Sequence, residues 1–172
     1  SILYNNIMQN LMTLVSFPGE PVPRLISVAL LLFWGLYKRH YKLTAWFVSV
    51  NLVTLLVVEV LKNITAISRP VGAMAWGFSF PSGHTASYVV FWGTLIFWIR
   101  MSNKSKWLKD LVYVLGIILI LSVGYSRVYL GEHRPIDVVG GYIIGIIILC
   151  VSIFIGSRLK LLKSWARPWF LF

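Results

Sequence analysis

Five long apolar stretches recur along the chain, each near the length of a bilayer crossing, and they leave it few ways to fold. They read RLISVALLLFWGLYK at 24–38, LTAWFVSVNLVTLLVVEVLK at 43–62, a run opening at His84 and closing near 101, LKDLVYVLGIILILSVGYS at 108–126, and DVVGGYIIGIIILCVSIFIGS at 137–157. The runs are continuous rather than alternating. In hydrocarbon every backbone polar group must find its partner within the segment, so such runs predict helices and not barrel strands. Composition agrees: 58% of residues are hydrophobic and 12% charged, where soluble domains carry about a quarter charged. The expectation is an all-α, polytopic membrane protein, one domain over residues 1–172. The first and third runs are short for about 30 Å of hydrocarbon.

Ahead of the first run, residues 2–17 are too polar to span. Ile7, Leu11, Leu14 and Val15 recur at helical spacing, with Asn5, Asn6, Gln9 and Asn10 elsewhere. This pattern predicts an amphipathic helix in the membrane interface, broken by PGEPVP at 18–23.

A net charge of +11 in a soluble protein points to nucleic acid. Here it follows from loops rich in Lys and Arg, and no nucleic-acid partner is expected. Lys38, Arg39, Lys42, Arg100, Lys104, Lys106, Lys109, Arg158, Lys160, Lys163 and Arg167 fall on one side of a five-span arrangement. Arg24, Lys62, Arg69, Arg127 and Arg134 fall on the other. The excess places the first side in the cytoplasm. The second faces periplasm, cell exterior or an organelle lumen. The N-terminus then lies outside, and the chain starts at Ser1, so a further spanning helix or signal segment is expected upstream. The single cysteine, Cys150, rules out an intrachain disulfide and a cysteine-based metal site; it reads as lipid-facing or as packing filler.

Three polar clusters interrupt this pattern, all at the outer ends of spans. In KNITAISRP (62–70), Lys62 and Arg69 are two helical turns apart and share a face if the segment is helical, with Pro70 as its stop. In PSGH (81–84), Pro, Ser and Gly suit a helix start, whose first N–H groups lack intrahelical partners and cradle anions. Ser82 adds a hydroxyl, and Gly83 lets an anion approach the backbone. In SRVYLGEHRPID (126–137), Pro135 fits the first helical position and Asp137 the first turn. His133 lies within reach of that carboxylate, which can fix its tautomer and leave the other nitrogen nucleophilic. Each cluster alone has a plain reading as a snorkelling Lys, an N-cap or a satisfied His. Two His and one Asp also match a metal-binding facial triad. Together, three cations with little local carboxylate call for an anion, and phosphate fits best. One His can attack phosphorus while the other protonates the leaving oxygen.

KNITAISRP, PSGH and SRVYLGEHRPID, in that order, resemble the three-part signature of the type-2 phosphatidic acid phosphatase superfamily: K-x6-RP, PSGH and SR-x5-H-x3-D. Every signature residue is present at its spacing over residues 62–137. The resemblance implies hydrolysis of a membrane lipid phosphate without metal or other cofactor. His133 would be the nucleophile, forming a phosphohistidine, and Asp137 would orient it. His84 would be the general acid. Lys62, Arg69, Arg127, Ser82 and the Gly83 amide would hold the phosphoryl oxygens. It implies a lipid phosphate drawn from the bilayer as partner. Undecaprenyl diphosphate or phosphatidylglycerol phosphate is favoured, ahead of phosphatidic acid and lipid A phosphate, in a bacterial cytoplasmic membrane. Phosphotransfer to an alcohol and non-catalytic lipid-phosphate binding are the alternatives. Family members commonly have six spans, and this chain shows five.

Outside the signature, Glu59 is expected to pair with Lys62 at i, i+3. Glu132 and Arg134 flank the nucleophile and are candidates for head-group selection. Trp76, Phe78 and Phe80 read as interfacial anchors, with a lid over the substrate as the alternative. His40 belongs to a solvated basic loop.

Overall fold

The computed structural model describes residues 2–159; the tail residues Lys160, Lys163 and Arg167 lie outside them. Six α-helices follow one another: α1 (Ile2–Ser16), α2 (Pro21–Tyr37), α3 (Tyr41–Thr65), α4 (Gly83–Met101), α5 (Lys106–Tyr129) and α6 (Pro135–Arg158). A 3-10 turn, Phe17–Gly19, joins the first two. Helix starts follow the sequence signals: Pro21 and Pro135 open α2 and α6, where their missing N–H costs nothing.

Among the described residues, α3, α5 and α6 are long and apolar enough to cross a membrane, with mean hydropathies of 1.9, 2.0 and 2.8. The stretches 5–19 and 22–37 pass only as a pair, bent by 45° at their break. Along α5 packs α1, and Tyr88 on α4 donates to the Val15 carbonyl at 2.8 Å. The fourth helix, α4, falls short of α3, α5 and α6 in apolarity for a physical reason. It packs against α3, α5 and α6 at once, so protein rather than lipid surrounds it. Its buried face carries Thr85, Ser87 and Thr94. The whole molecule shares this inversion: Thr54, Ser126 and Ser152 are buried, while Leu56, Leu121, Ile146 and Phe154 are exposed. Small and polar residues at helix contacts with large apolar residues outside is how helices pack in lipid. Cys150 lies on the exposed face of α6.

Backbone meets backbone between α4 and α6. A Cβ on Gly141 would stand 2.6 Å from the Ser82 carbonyl oxygen, and one on Gly145 would stand 2.9 Å from that of Ala86. Two glycines four apart let the backbones nearly touch. Farther along, Trp46 on α3 donates to the Ser152 carbonyl of α6 at 3.0 Å, and Tyr142 on α6 donates to Ile120 of α5 at 2.9 Å.

The helical reading of 62–69 is corrected. Helix α3 ends at Thr65, and Ala66 adopts a left-handed backbone (φ 49°) with its N–H on the Lys62 carbonyl. Lys62 thus sits in a last helical turn, whereas Arg69 belongs to the loop 66–82. Thr65 bonds the Phe80 carbonyl at 3.0 Å and closes that loop on its own base. Val71, Met74 and Trp76 stand almost fully exposed on it, while Phe80 fills the space over Gly140. At the opposite end, His40 caps α3 and tilts against Trp34 (6.2 Å between ring centroids) rather than facing solvent.

The α4–α6 contact tolerates no side chain. Gly141→Val is expected to cost about 1–3 kcal/mol through overpacking and to lower the unfolding temperature in detergent. Val on the exposed face of α6 in place of Ile146 should leave it unchanged.

Candidate active site

Residues from four helix ends and two loops meet at one end of the bundle. The first turns of α4 and α6 lie side by side because the glycine contact draws them together. Ser82 N donates to the Asp137 carbonyl at 2.9 Å across the gap. Helix α6 opens with a reciprocal cap in which Asp137 Oδ2 accepts the Arg134 N–H at 2.8 Å.

His133 is buried just before this cap. Its Nδ1 lies 3.7 Å from Asp137 Oδ2, beyond hydrogen-bond length. Ser79 stands between them. Its hydroxyl donates to Asp137 Oδ2 at 2.5 Å and lies 3.3 Å from His133 Nδ1. The imidazole is therefore held through Ser79, and its other nitrogen, Nε2, faces Arg69 at 3.5 Å. Burial first, then the guanidinium charges of Arg69 and Arg127, push His133 down to about 3, against the opposing pull of Asp137. A neutral imidazole results, with Nδ1 committed and Nε2 directed at a cluster of cations.

Those cations are tied down by Glu132, which is buried. Its carboxylate accepts the Met74 and Ala75 N–H groups at 3.1 and 3.2 Å. It pairs with Arg69 at 3.6 Å and with Arg127 at 3.8 Å. Arg69 also donates to the Glu132 carbonyl at 3.1 Å. Glu132 thus clamps the loop 66–82 and two of the three cations expected to hold phosphate, and Arg134 reinforces it with a 2.8 Å bond to the Ser68 carbonyl. The Nε atoms of Arg69 and Arg127 are buried without a hydrogen-bond partner.

Lys62 enters from the last turn of α3, its Nζ about 4.0 Å from where a Gly83 Cβ would be. Glu59 acts on it only from beyond ion-pair distance. Asn63 Nδ2 lies 3.4 Å from the Glu59 carboxylate, and among the described residues no carboxylate comes within 4.0 Å of Lys62. Ser82 is fully buried, with its hydroxyl accepting from Thr85 at 3.0 Å. Among the described residues no three His, Cys, Asp or Glu side chains converge as metal ligands.

His84, the second residue of α4, faces an unexpected carboxylate. Glu20, at the break before α2, places Oε1 3.2 Å from His84 Nε2 and 3.5 Å from Arg127. The imidazole beside it, and then the Arg127 and Arg24 charges, hold Glu20 below the usual carboxylate range in spite of partial burial. The turn that delivers Glu20 sits directly on His84: a Cβ on Gly19 would come within 2.6 Å of the ring. Cations and two histidines thus gather at this end of the bundle, with a carboxylate of the chain itself between His84 and Arg127.

Sequence reasoning missed Ser79, Glu20 and the clamping role of Glu132. Nothing in FSFPSGH distinguishes Ser79. Glu20 had one signal, being among only five acidic residues in the chain and on the outer side.

Residues 43–161 match the PAP2 superfamily. Over 167 residues the chain is 31% identical to an undecaprenyl-diphosphatase of Sulfolobus acidocaldarius, covering 91% of this chain and 75% of that one. It is 36% identical over 73 residues to phosphatidylglycerophosphatase B of Bacillus subtilis, covering 41% and 36% respectively. The fold matches the crystal structure of a transmembrane PAP2 type phosphatidylglycerolphosphate phosphatase from Bacillus subtilis with a TM-score of 0.79. That match is at 25% identity and spans 89% of this chain and 78% of the other.

Two outcomes follow from this geometry. In the unliganded protein the His133 imidazole should stay neutral from pH 7.5 to 5 in histidine-labelled NMR spectra, and a midpoint near 6.5 would contradict the burial argument. The unfolded chain binds that proton near pH 6.5 and the folded one does not, so His133 makes stability fall as pH drops below 6.5. Separately, Glu20→Gln removes a competing negative charge. Inorganic phosphate should then bind several-fold more tightly by calorimetry.

Proposed function

The chain belongs to the PAP2 superfamily and is a lipid phosphatase, and from that premise we propose that it hydrolyses a lipid phosphate or diphosphate through a phosphohistidine at the outer membrane face. The observation that carries this reading is the state of His133: neutral, with Nδ1 held by Ser79 and Asp137 and Nε2 open toward Arg69.

Substrate phosphate displaces Glu20 and is held by Lys62, Arg69, Arg127 and the first amides of α4, with Ser82 behind them. His133 Nε2 attacks phosphorus. As the P–O bond to the leaving group breaks, its electron pair goes to oxygen, which takes a proton from His84 Nε2. The Ser79–Asp137 relay stabilises the positive charge that forms on His133. Water then attacks the phosphohistidine, with His84 as base, and returns His133 to its neutral state. The guanidiniums and helix amides are already in place before charge builds on the phosphoryl oxygens, which is where electrostatic catalysis acts.

Undecaprenyl diphosphate is the favoured substrate and phosphatidylglycerol phosphate the next, in keeping with the relatives above. In this reading α2 and α4 also cross the bilayer, the pocket faces periplasm or cell exterior, and the exposed Trp76 anchors its loop at the interface.

Phosphate release from these lipids in detergent, in the presence of EDTA, tests the proposal. Activity should persist in the chelator. His133→Ala should lower kcat by about three orders of magnitude or more, and acid-labile phosphate should be trapped on the wild-type chain alone. EDTA-abolished activity, or a fully active His133→Ala, overturns it.

A further inference from the structure

Behind His84 lies a cavity of about 160 Å³, bounded by Arg24, Ser27, Asn51, Ser87, Tyr88 and Trp92. No signature residue lines it, although Gly19, which packs on the His84 ring, does, and it holds a cation. Arg24 is largely enclosed, donates to Ser87 at 3.1 Å, and keeps a buried Nε without a hydrogen-bond partner. Among the described residues no carboxylate lies within 4.0 Å of its guanidinium. Glu20, one turn earlier on the same face of the chain, is committed to His84 and Arg127. The Glu20 charge reaches Arg24 only from beyond ion-pair distance; enclosing a cation without a counter-ion in contact is costly, and an arginine left so is a site for an anion.

Three cations at the signature already match the oxygens of one phosphoryl group. A fourth, in a separate cavity, is surplus for a monoester. Its position decides what it serves. His133 stands on the attacking side of the pocket, and His84 on the leaving side. Ser87, which anchors Arg24, is three residues beyond His84 on α4. Arg24 is therefore on the leaving-group side.

We infer that Arg24 and Ser87 form a second phosphoryl subsite, which holds the departing lipid monophosphate when the substrate is a lipid diphosphate. This rests on the phosphatase reading above and narrows it to diphosphates. His133 Nε2 bonds to the terminal phosphorus, and the bond from that phosphorus to the bridging oxygen breaks. The bridging oxygen keeps the electron pair and takes the proton of His84. The charge of the released monophosphate meets Arg24, and its apolar tail leaves past Tyr88 and Trp92 toward the bilayer.

Farnesyl diphosphate and farnesyl monophosphate share one tail and differ by this one group. The wild type should prefer the diphosphate in kcat/KM. Arg24→Gln should reduce the diphosphate-to-monophosphate ratio at least tenfold, Ser87→Ala should reduce it in the same direction, and Arg24→Lys should restore part of it. By calorimetry, pyrophosphate should bind the wild type more tightly than inorganic phosphate, and Arg24→Gln should erase the difference. Retained phosphate binding shows that the variant is folded. An unchanged ratio, or a wild type that prefers the monophosphate, overturns the second subsite and leaves the phosphatase reading intact. No phosphate release from either compound by the wild type overturns both.

Discussion

The contact of α4 with α6 governs everything at the outer end of this bundle. Where Gly141 meets the Ser82 carbonyl, two helices approach with no side chain between them. Their first turns are thereby locked in register, and the Ser82–Asp137 backbone bond records it. One helix start carries His84, and the other carries the cap that positions His133. Separation by a single methyl group would pull His84 and His133 apart, because both hang from backbone that has nowhere else to go. Packing at atomic closeness, rather than any flexible side chain, sets the distance between the two histidines.

Around this rigid centre the electrostatics are assembled from loops. Two guanidinium groups and an ammonium gather at the same end of the bundle, and in isolation they would repel one another. Glu132 makes the arrangement tolerable by pairing with two of them while its oxygens also accept two loop amides. Glu20 supplies the remaining negative charge in the empty pocket. The two carboxylates differ in kind. Glu132 is buried and fully bonded, so it stays. Glu20 is partly exposed at a helix break and makes only its contacts with His84 and Arg127, so it is the less firmly held of the two.

How far this was legible in the sequence depends on the length scale. The apolar runs gave α3, α5 and α6 nearly to their ends, because lipid exposure imposes a simple rule on composition. They were less informative for α4, whose neighbours are helices and whose Ser and Thr residues obey packing instead. They also misjudged 62–69: the spacing of Lys62 and Arg69 suits a helix, but a left-handed Ala66 ends it, and alanine carries no sign of that. Lys62, Arg69, Ser82, Gly83, His84, Arg127, His133 and Asp137 all fall at one end of the bundle, as their clustering suggested. What stayed hidden were contacts made across the fold. Ser79 reaches His133 over 54 positions and Arg127 reaches Glu20 over 107, and no local pattern encodes either.

The bridging hydroxyl of Ser79 has one further meaning. A histidine's reactive tautomer is usually credited to its carboxylate, here only four residues away and present as soon as α6 starts. In this molecule the carboxylate stops short, and the missing link arrives on a separate loop that also brings Arg69. Without that loop in place, His133 lacks both the Ser79 hydroxyl and the Arg69 guanidinium, and keeps only its longer approach to Asp137. The surroundings of His133 are thus a property of the closed tertiary structure rather than of the first turn of α6.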